Sequence, residues 1–238
     1  MSKPTHVAVF DFDGTLLPKT QKSLFDIMDK TLSEGHRKEI EEIRQNFFKK
    51  FHSNQLTPEE DRLFYFQAAK VYIKAGLSVS KVKSVLAETK LRPFVPETIR
   101  FLHEQGVPIA IISYSYFQWI DFVCEQNGVS SFISKIYAAN LVIKDGLICG
   151  YRPETFVFSE NKGVFSRQFA RQYGVPEENI LAVGDSAADA RLGYLKKNRL
   201  GLARDQAEKE KIQEFFGEVI ITETFDPVLE WLEKKLAG

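Results

Sequence analysis

At 238 residues, with 44% apolar and 27% charged side chains, the chain has an ordinary globular composition and room for one sizeable core plus an insertion. Its 32 Lys and Arg balance 32 Asp and Glu, so no excess charge favours nucleic acid or a membrane surface as partner. No apolar run approaches the roughly 20 residues of a membrane span, the N-terminus lacks a signal-peptide h-region, and Cys124 and Cys149 have no metal-type spacing; the expectation is a reducing, cytoplasmic setting without disulfides.

The first element is the apolar run Val7–Phe10, a buried strand. It ends in Asp11-Phe12-Asp13-Gly14-Thr15-Leu16, two carboxylates one residue apart followed by turn residues. In an open α/β sheet, ligands bind beyond the carboxyl ends of the strands, so these acids belong in a crevice.

From about residue 20 to 90 the pattern is helical. Ser23 to Leu32 carries apolar residues at helical spacing, and His36 to His52 places Ile40, Ile43, Phe47, Phe48 and Phe51 on one side. Thr57-Pro58-Glu59-Glu60 is a capping box with proline at the first helical position, opening a helix that stops at Gly76. Ser80 to Thr89 is a further short helix. Many of the 20 phenylalanines fall between residues 10 and 70, which predicts an aromatic core or pocket there. The block reads as an inserted helical cap over residues 18–90, with residues 1–17 and 91–238 forming the main domain.

Leu91 to Pro96 returns the chain to that domain. Pro96 starts a helix ending near Gly106; strand 109–112 ends in Ser113; a helix covers about 116–127. Asp145-Gly146 between two β-like runs signals a small hairpin. Lys162 opens a helix to about residue 173, strand 180–184 follows, and Gly184-Asp185-Ser186-Ala187-Ala188-Asp189 leads into a helix over 187–196. A strand at Val219–Ile221 and a helix over 227–236 close the chain. Strands alternating with helices imply an α/β, doubly wound parallel sheet. His6, His36, His52 and His103 read as structural or surface residues, and both cysteines as buried small apolar groups. Nothing in the chain sets an oligomeric state.

Taken in order, Asp-x-Asp-Gly-Thr, a strand-terminal serine, a lysine and Gly-Asp-Ser-x-x-Asp resemble the four-motif signature of the haloacid dehalogenase superfamily of phosphohydrolases, over about residues 5–225. The resemblance implies a Rossmann-like core and hydrolysis of a small phosphorylated metabolite. It implies Asp11 as nucleophile forming an aspartyl-phosphate, and Asp13 as general acid and then base. It also implies Mg²⁺ held by the Asp11 carboxylate, the Asp13 carbonyl and Asp185, with Asp189 acting through water or on Lys162. Lys162 and Ser113, with backbone N–H groups near Gly14 and Tyr114, would bind the phosphoryl oxygens. Positive charge is required, since two like unit charges ~4 Å apart repel by about 4 kcal/mol at an effective dielectric of ~20.

The 102-residue spacing from Asp11 to Ser113 accommodates a cap between the first two motifs. Tyr137 to Tyr151 followed by Asn161-Lys162-Gly163 resembles the phosphoserine phosphatase-like branch. Two departures argue against phosphoserine itself: Ser113 is followed by Tyr114-Ser115 instead of two glycines, and the loop Leu17-Pro18-Lys19-Thr20-Gln21 carries no acid. Lys19, Lys49, Lys50 and Arg62 are candidate second-anion contacts, each with solvated surface as the plainer reading. The alternatives are a phosphomutase of the same fold or a non-catalytic phospholigand-binding module. Dehalogenation is disfavoured because Asp13 is present.

Overall fold

The computed structural model describes residues 3–52 and 57–237. The side chains of Phe48, Phe51 and His52, expected along the second helix, lie outside the described residues. In chain order the elements are β1 (Val7–Phe10), α1 (Leu24–Asp29), α2 (Glu34–His52), α3 (Pro58–Lys74), α4 (Val79–Leu86), α5 (Val95–Glu104), β2 (Ile109–Tyr116), α6 (Phe117–Gln126), β3 (Lys135–Lys144), β4 (Leu147–Arg152), α7 (Lys162–Gln172), β5 (Ile180–Gly184), β6 (Arg199–Ala203), α8 (Gln206–Ile212), β7 (Glu218–Ile221) and α9 (Asp226–Ala237).

The seven strands form one sheet in the order β4-β3-β2-β1-β5-β6-β7. All neighbours are parallel except the β3–β4 hairpin, whose turn residues Asp145 and Gly146 both have positive φ, as a primed two-residue turn needs. β1 is central. Its sequence neighbour β2 lies on one side and β5 on the other, so the strand order reverses at β1 and opens a crevice at its carboxyl end.

Every β1 side chain is buried, because helices cover both faces of the sheet. Val7 and Val9 pack with Ile180, Ala182 and the Phe169 of α7 on one face. Ala8 and Phe10 join the larger cluster on the other, which continues without a break into Tyr65, Tyr72 and Leu86 of the helical cap, α1 to α4. The expected capping box is present: Thr57 Oγ1 accepts from the Glu60 N–H at 3.3 Å and Glu60 Oε2 accepts from the Thr57 N–H at 3.0 Å.

A hydrogen bond closes the base of the cap and two others tie it to the hairpin. Gln21 Nε2 donates to the Lys90 carbonyl at 2.6 Å, clasping its entry to its exit. The Val79 N–H donates to the Gly146 carbonyl at 2.9 Å and the Ile148 N–H to the Leu77 carbonyl at 3.0 Å, joining the cap to the hairpin.

Three sequence expectations need correction. No helix spans 187–196. Only a 3-10 turn at Asp189–Arg191 forms, because the Asp189 carboxylate takes the Asp185 and Ser186 N–H groups and diverts the backbone from a regular helix. The chain then builds β6 and α8, neither of which the sequence pattern had separated. β2 does not end at Ile112 but runs to Tyr116, with a register shift against β3 between Ile112 and Tyr116. Cys124 is buried as expected, but Cys149 is exposed, because it points outward from edge strand β4.

Candidate active site

The carboxyl end of β1 delivers Asp11, 4% exposed, into the crevice. β5 ends beside it, and the loop that follows supplies Asp185 and Asp189. One carboxylate oxygen from each of Asp11, Asp185 and Asp189 lies within 4.8 Å of the others. Lys162, the first residue of α7 and 1% exposed, reaches into the same crevice. Its Nζ donates to Asp11 Oδ1 at 2.8 Å and to Asp189 Oδ1 at 2.5 Å.

Two glycines make this approach of acids sterically feasible. A Cβ on Gly14, whose φ is +84°, would fall 2.4 Å from Asp185 Oδ2. A Cβ on Gly184 would fall 2.1 Å from the Asp189 Cβ. Asp189 is further fixed by donors to Oδ2: the Ser186 N–H at 2.9 Å and the Ser186 hydroxyl at 2.5 Å.

Asp13 points towards the cap, where its Oδ1 accepts from the Leu24 N–H of α1 at 2.9 Å. Ser113, 1% exposed, sits in the irregular stretch of β2, and its Oγ accepts from the Ser115 N–H at 3.2 Å. A bulge re-aims side chains at a strand end, which explains how Ser113 and Tyr114 come to face the crevice within a continuing strand. The Tyr114 ring lies over the Lys162 ammonium, 4.2 Å from Nζ to the ring centroid. All of Asp11, Asp13, Ser113, Tyr114, Lys162, Asp185 and Asp189 line one cavity of about 420 Å³.

Burial dominates the titration of the acids. It raises Asp11 well above the usual carboxylate range, against the Lys162 charge and helped by Asp189 and Asp185. It raises Asp13 to about 6, and Asp185 to about 6, the latter helped by Asp189. Burial works against the Lys162 charge too, but the Asp11 and Asp189 carboxylates outweigh it and hold the amine well above its ordinary value.

Two residues near the site escaped the sequence reading or were read differently. Arg92, 3% exposed, donates from Nε to the Thr15 carbonyl at 3.0 Å, from Nη2 to the Gly14 carbonyl at 2.8 Å and from Nη1 to the Thr222 carbonyl at 2.7 Å. It therefore fixes the turn that carries Asp13 and Gly14. Its only sequence cue was its position in Leu91-Arg92-Pro93, where the chain re-enters the core. Arg92→Met should leave three carbonyls short of a donor and lower stability by about 3 kcal/mol. Urea unfolding checks this, and an unchanged midpoint would rule out the anchoring role. Lys19, a candidate anion contact, is instead committed to Asp185 Oδ2 at 2.9 Å and Glu208 Oε2 at 3.0 Å. Lys50 pairs with Glu60 and Arg62 with Glu160, while Lys49 is exposed on α2.

Fold and site together define a capped, doubly wound α/β enzyme with an acidic centre able to hold a cation. Residues 8–193 match the family model of haloacid dehalogenase-like hydrolases, and the chain belongs to that family. It is 34% identical over 135 residues to a phosphoserine phosphatase of Streptomyces coelicolor, a match covering 57% of this chain and 32% of that protein. It is 26% identical over 207 residues to a phosphoserine phosphatase of Methanocaldococcus jannaschii, covering 85% of this chain and 87% of that one. The chain thus spans about a third of the first relative and most of the second. A cytosolic 5'-nucleotidase IIIB bound to cytidine has the same fold, with a TM-score of 0.76 at 17% identity, over 98% of this chain and 87% of that one. Among the described residues no helix is long and apolar enough to cross a membrane.

Proposed function

We propose that the protein is a Mg²⁺-dependent phosphatase that hydrolyses a small phosphomonoester through an aspartyl-phosphate on Asp11. The observation that carries this reading is the meeting of Asp11, Asp185, Asp189 and Lys162, from three separate stretches of chain, at the carboxyl end of β1 beside Asp13. Similarity to phosphoserine phosphatases supports the phosphatase chemistry. Two free cysteines and a balanced charge are compatible with a cytoplasmic setting.

The donor set fits a hard divalent cation. It consists of oxygen donors only, and the three clustered carboxylates of Asp11, Asp185 and Asp189 exceed the two ammonium groups of Lys162 and Lys19 by one negative charge when ionised. Asp11, Asp185 and the Asp13 carbonyl would hold Mg²⁺, which when bound lowers the charge repulsion between nucleophile and phosphate. Asp11 attacks phosphorus as the bond to the leaving oxygen breaks. Asp13, held near 6 by burial, is available in protonated form and gives its proton to that oxygen. It then takes a proton from water, which attacks phosphorus and releases inorganic phosphate and free Asp11. Lys162 neutralises Asp11 and one phosphoryl oxygen. The Ser113 hydroxyl and N–H groups at Gly14 and Tyr114 receive the others. Asp189 keeps Lys162 in place.

The direct test is phosphate release from a set of phosphomonoesters with Mg²⁺ and with EDTA, together with acid quenching to trap a phosphoenzyme. Turnover that survives EDTA would refute the reading.

Metal and protons should compete. Asp13 and Asp185 titrate near 6 in the fold against 3.8 when unperturbed. A raised carboxyl disfavours the fold while ionised, so its cost is present above pH 6 and is relieved as pH falls towards 3.8. Cation ligands must be deprotonated, so Mg²⁺ binding follows the opposite trend. Saturating Mg²⁺ should therefore raise Tm by about 5 °C or more at pH 7.5 and by much less at pH 5. Thermal scans at the two pH values decide it; equal shifts would mean that the Asp185 carboxylate does not hold the cation.

A further inference from the structure

We propose that the substrate is a phosphomonoester whose alcohol carries a planar, apolar ring one or two carbons from the ester oxygen. This inference rests on the phosphatase reading and names the substrate class of the same cavity.

The cavity that holds the acids also has an aromatic wall. Phe47 of α2, Phe64 and Tyr65 of α3, Phe25 of α1 and Tyr114 of β2 all line it. The rings form one connected surface. Phe47 stacks on Phe64 with centroids 4.3 Å apart, Phe64 meets Tyr65 edge-on at 4.9 Å, and Tyr65 stacks on Tyr114 at 5.3 Å. That surface starts at the chemistry, since the Tyr114 ring sits over the Lys162 ammonium that holds Asp11. The ring wall therefore begins within the length of a short carbon arm from the phosphoryl group.

The Tyr114 end of the wall is held in place, and its two phenols are uncharged. The Tyr114 hydroxyl bonds to Ser159 Oγ at 2.9 Å, and Ser159 Oγ donates to the buried Asp61 at 3.1 Å, which locks the ring plane. Burial holds the Tyr65 and Tyr114 phenols neutral.

A second anionic group on the substrate would find little to bind. Among the described residues lining the cavity, the cations are Lys162 and Arg44. Lys162 is engaged by Asp11 and Asp189, and Arg44 by Asp26 and by Asp29 at 2.8 Å. A zwitterionic amino-acid phosphate would have to break the Arg44 pairs. A flat ring needs only to lie against faces and edges already presented, in a cavity of about 420 Å³ that suits a small ring-bearing ester.

The test compares esters with leaving alcohols of similar basicity. Initial rates of phosphate release are measured with the whole protein and Mg²⁺ on 2-phenylethyl, 2-cyclohexylethyl and n-butyl phosphate, with phosphoserine and p-nitrophenyl phosphate alongside. The expected kcat/KM for 2-phenylethyl phosphate is at least about tenfold above n-butyl phosphate and about fivefold above the cyclohexyl ester. Phe64→Leu should shrink both ratios to about twofold or less. Inhibition of the unaltered protein by 2-phenylethylphosphonate against butylphosphonate gives the same ratio without any variant. Equal values across the three esters, or a preference for phosphoserine, would overturn the ring-bearing substrate and leave the phosphatase standing. No release from any ester, p-nitrophenyl phosphate included, would overturn both.

Discussion

Asp11→Asn should abolish turnover without weakening the fold. The expected loss in kcat is on the order of 10⁴ or more, because an amide cannot form the covalent intermediate that divides the reaction. Thermal stability should stay level or rise by a few degrees. Burial drives the Asp11 carboxyl well above its ordinary range, and Asp189 and Asp185 add repulsion, so its ionised form is held in the fold at a cost. Removing that charge relieves the cost. Lys162 keeps its Asp189 partner at 2.5 Å. Phosphate release and a thermal scan of the same preparation provide both readings, and acid quenching should find no phosphoenzyme in the variant. Activity above about one hundredth of the unaltered enzyme would assign the nucleophile elsewhere.

Lys162→Met carries the opposite signature: both activity and stability should fall. The methionine fills much of the same volume but leaves Asp11 and Asp189 buried without a counter-charge. Breaking a buried pair by removing one partner costs about 3–5 kcal/mol. Electrostatic support of the phosphoryl group is lost at the same time, so kcat should drop by about 10²–10³-fold. Urea unfolding read against phosphate release checks the pair of effects. The double variant Lys162→Met with Asp11→Asn should recover part of the lost stability, because one of the stranded carboxylates is gone. A lysine variant as stable as the starting protein would show that the pair is not what holds α7 against β1 and the loop after β5.

These two variants separate what was legible in the chain from what was not. β1 was readable because four consecutive apolar residues ending in an acid suit a strand buried on both faces and ending at a crevice. The α3 start was readable because the Thr57–Glu60 box is satisfied within four residues. The hairpin was readable because Asp145-Gly146 meets the turn's backbone demand locally. Six of the seven strands and the helical insertion follow from such local signals taken in order, whereas β6 does not.

The segment after β5 misled for a complementary reason. Its composition allows a helix, but Asp189 satisfies the neighbouring N–H groups and Lys162 at once, and the backbone follows the side chain. The continuation of β2 through Ser113 depends on a register shift against β3, which arises only when the two strands pair.

By itself the sequence determined most of the strand-and-helix alternation, the helical insertion and which acids and lysine stand at element ends, since each depends on chemistry within a few residues. Tertiary structure alone decided that Arg92 would hold the Gly14 turn, that Lys19 would lie on Asp185, that the cap would bond to the hairpin and that five rings would line the same cavity as the acids. Each of those contacts joins groups that sit far apart in the chain or on different elements. Distances of a few ångströms between them exist only once the sheet and cap have packed.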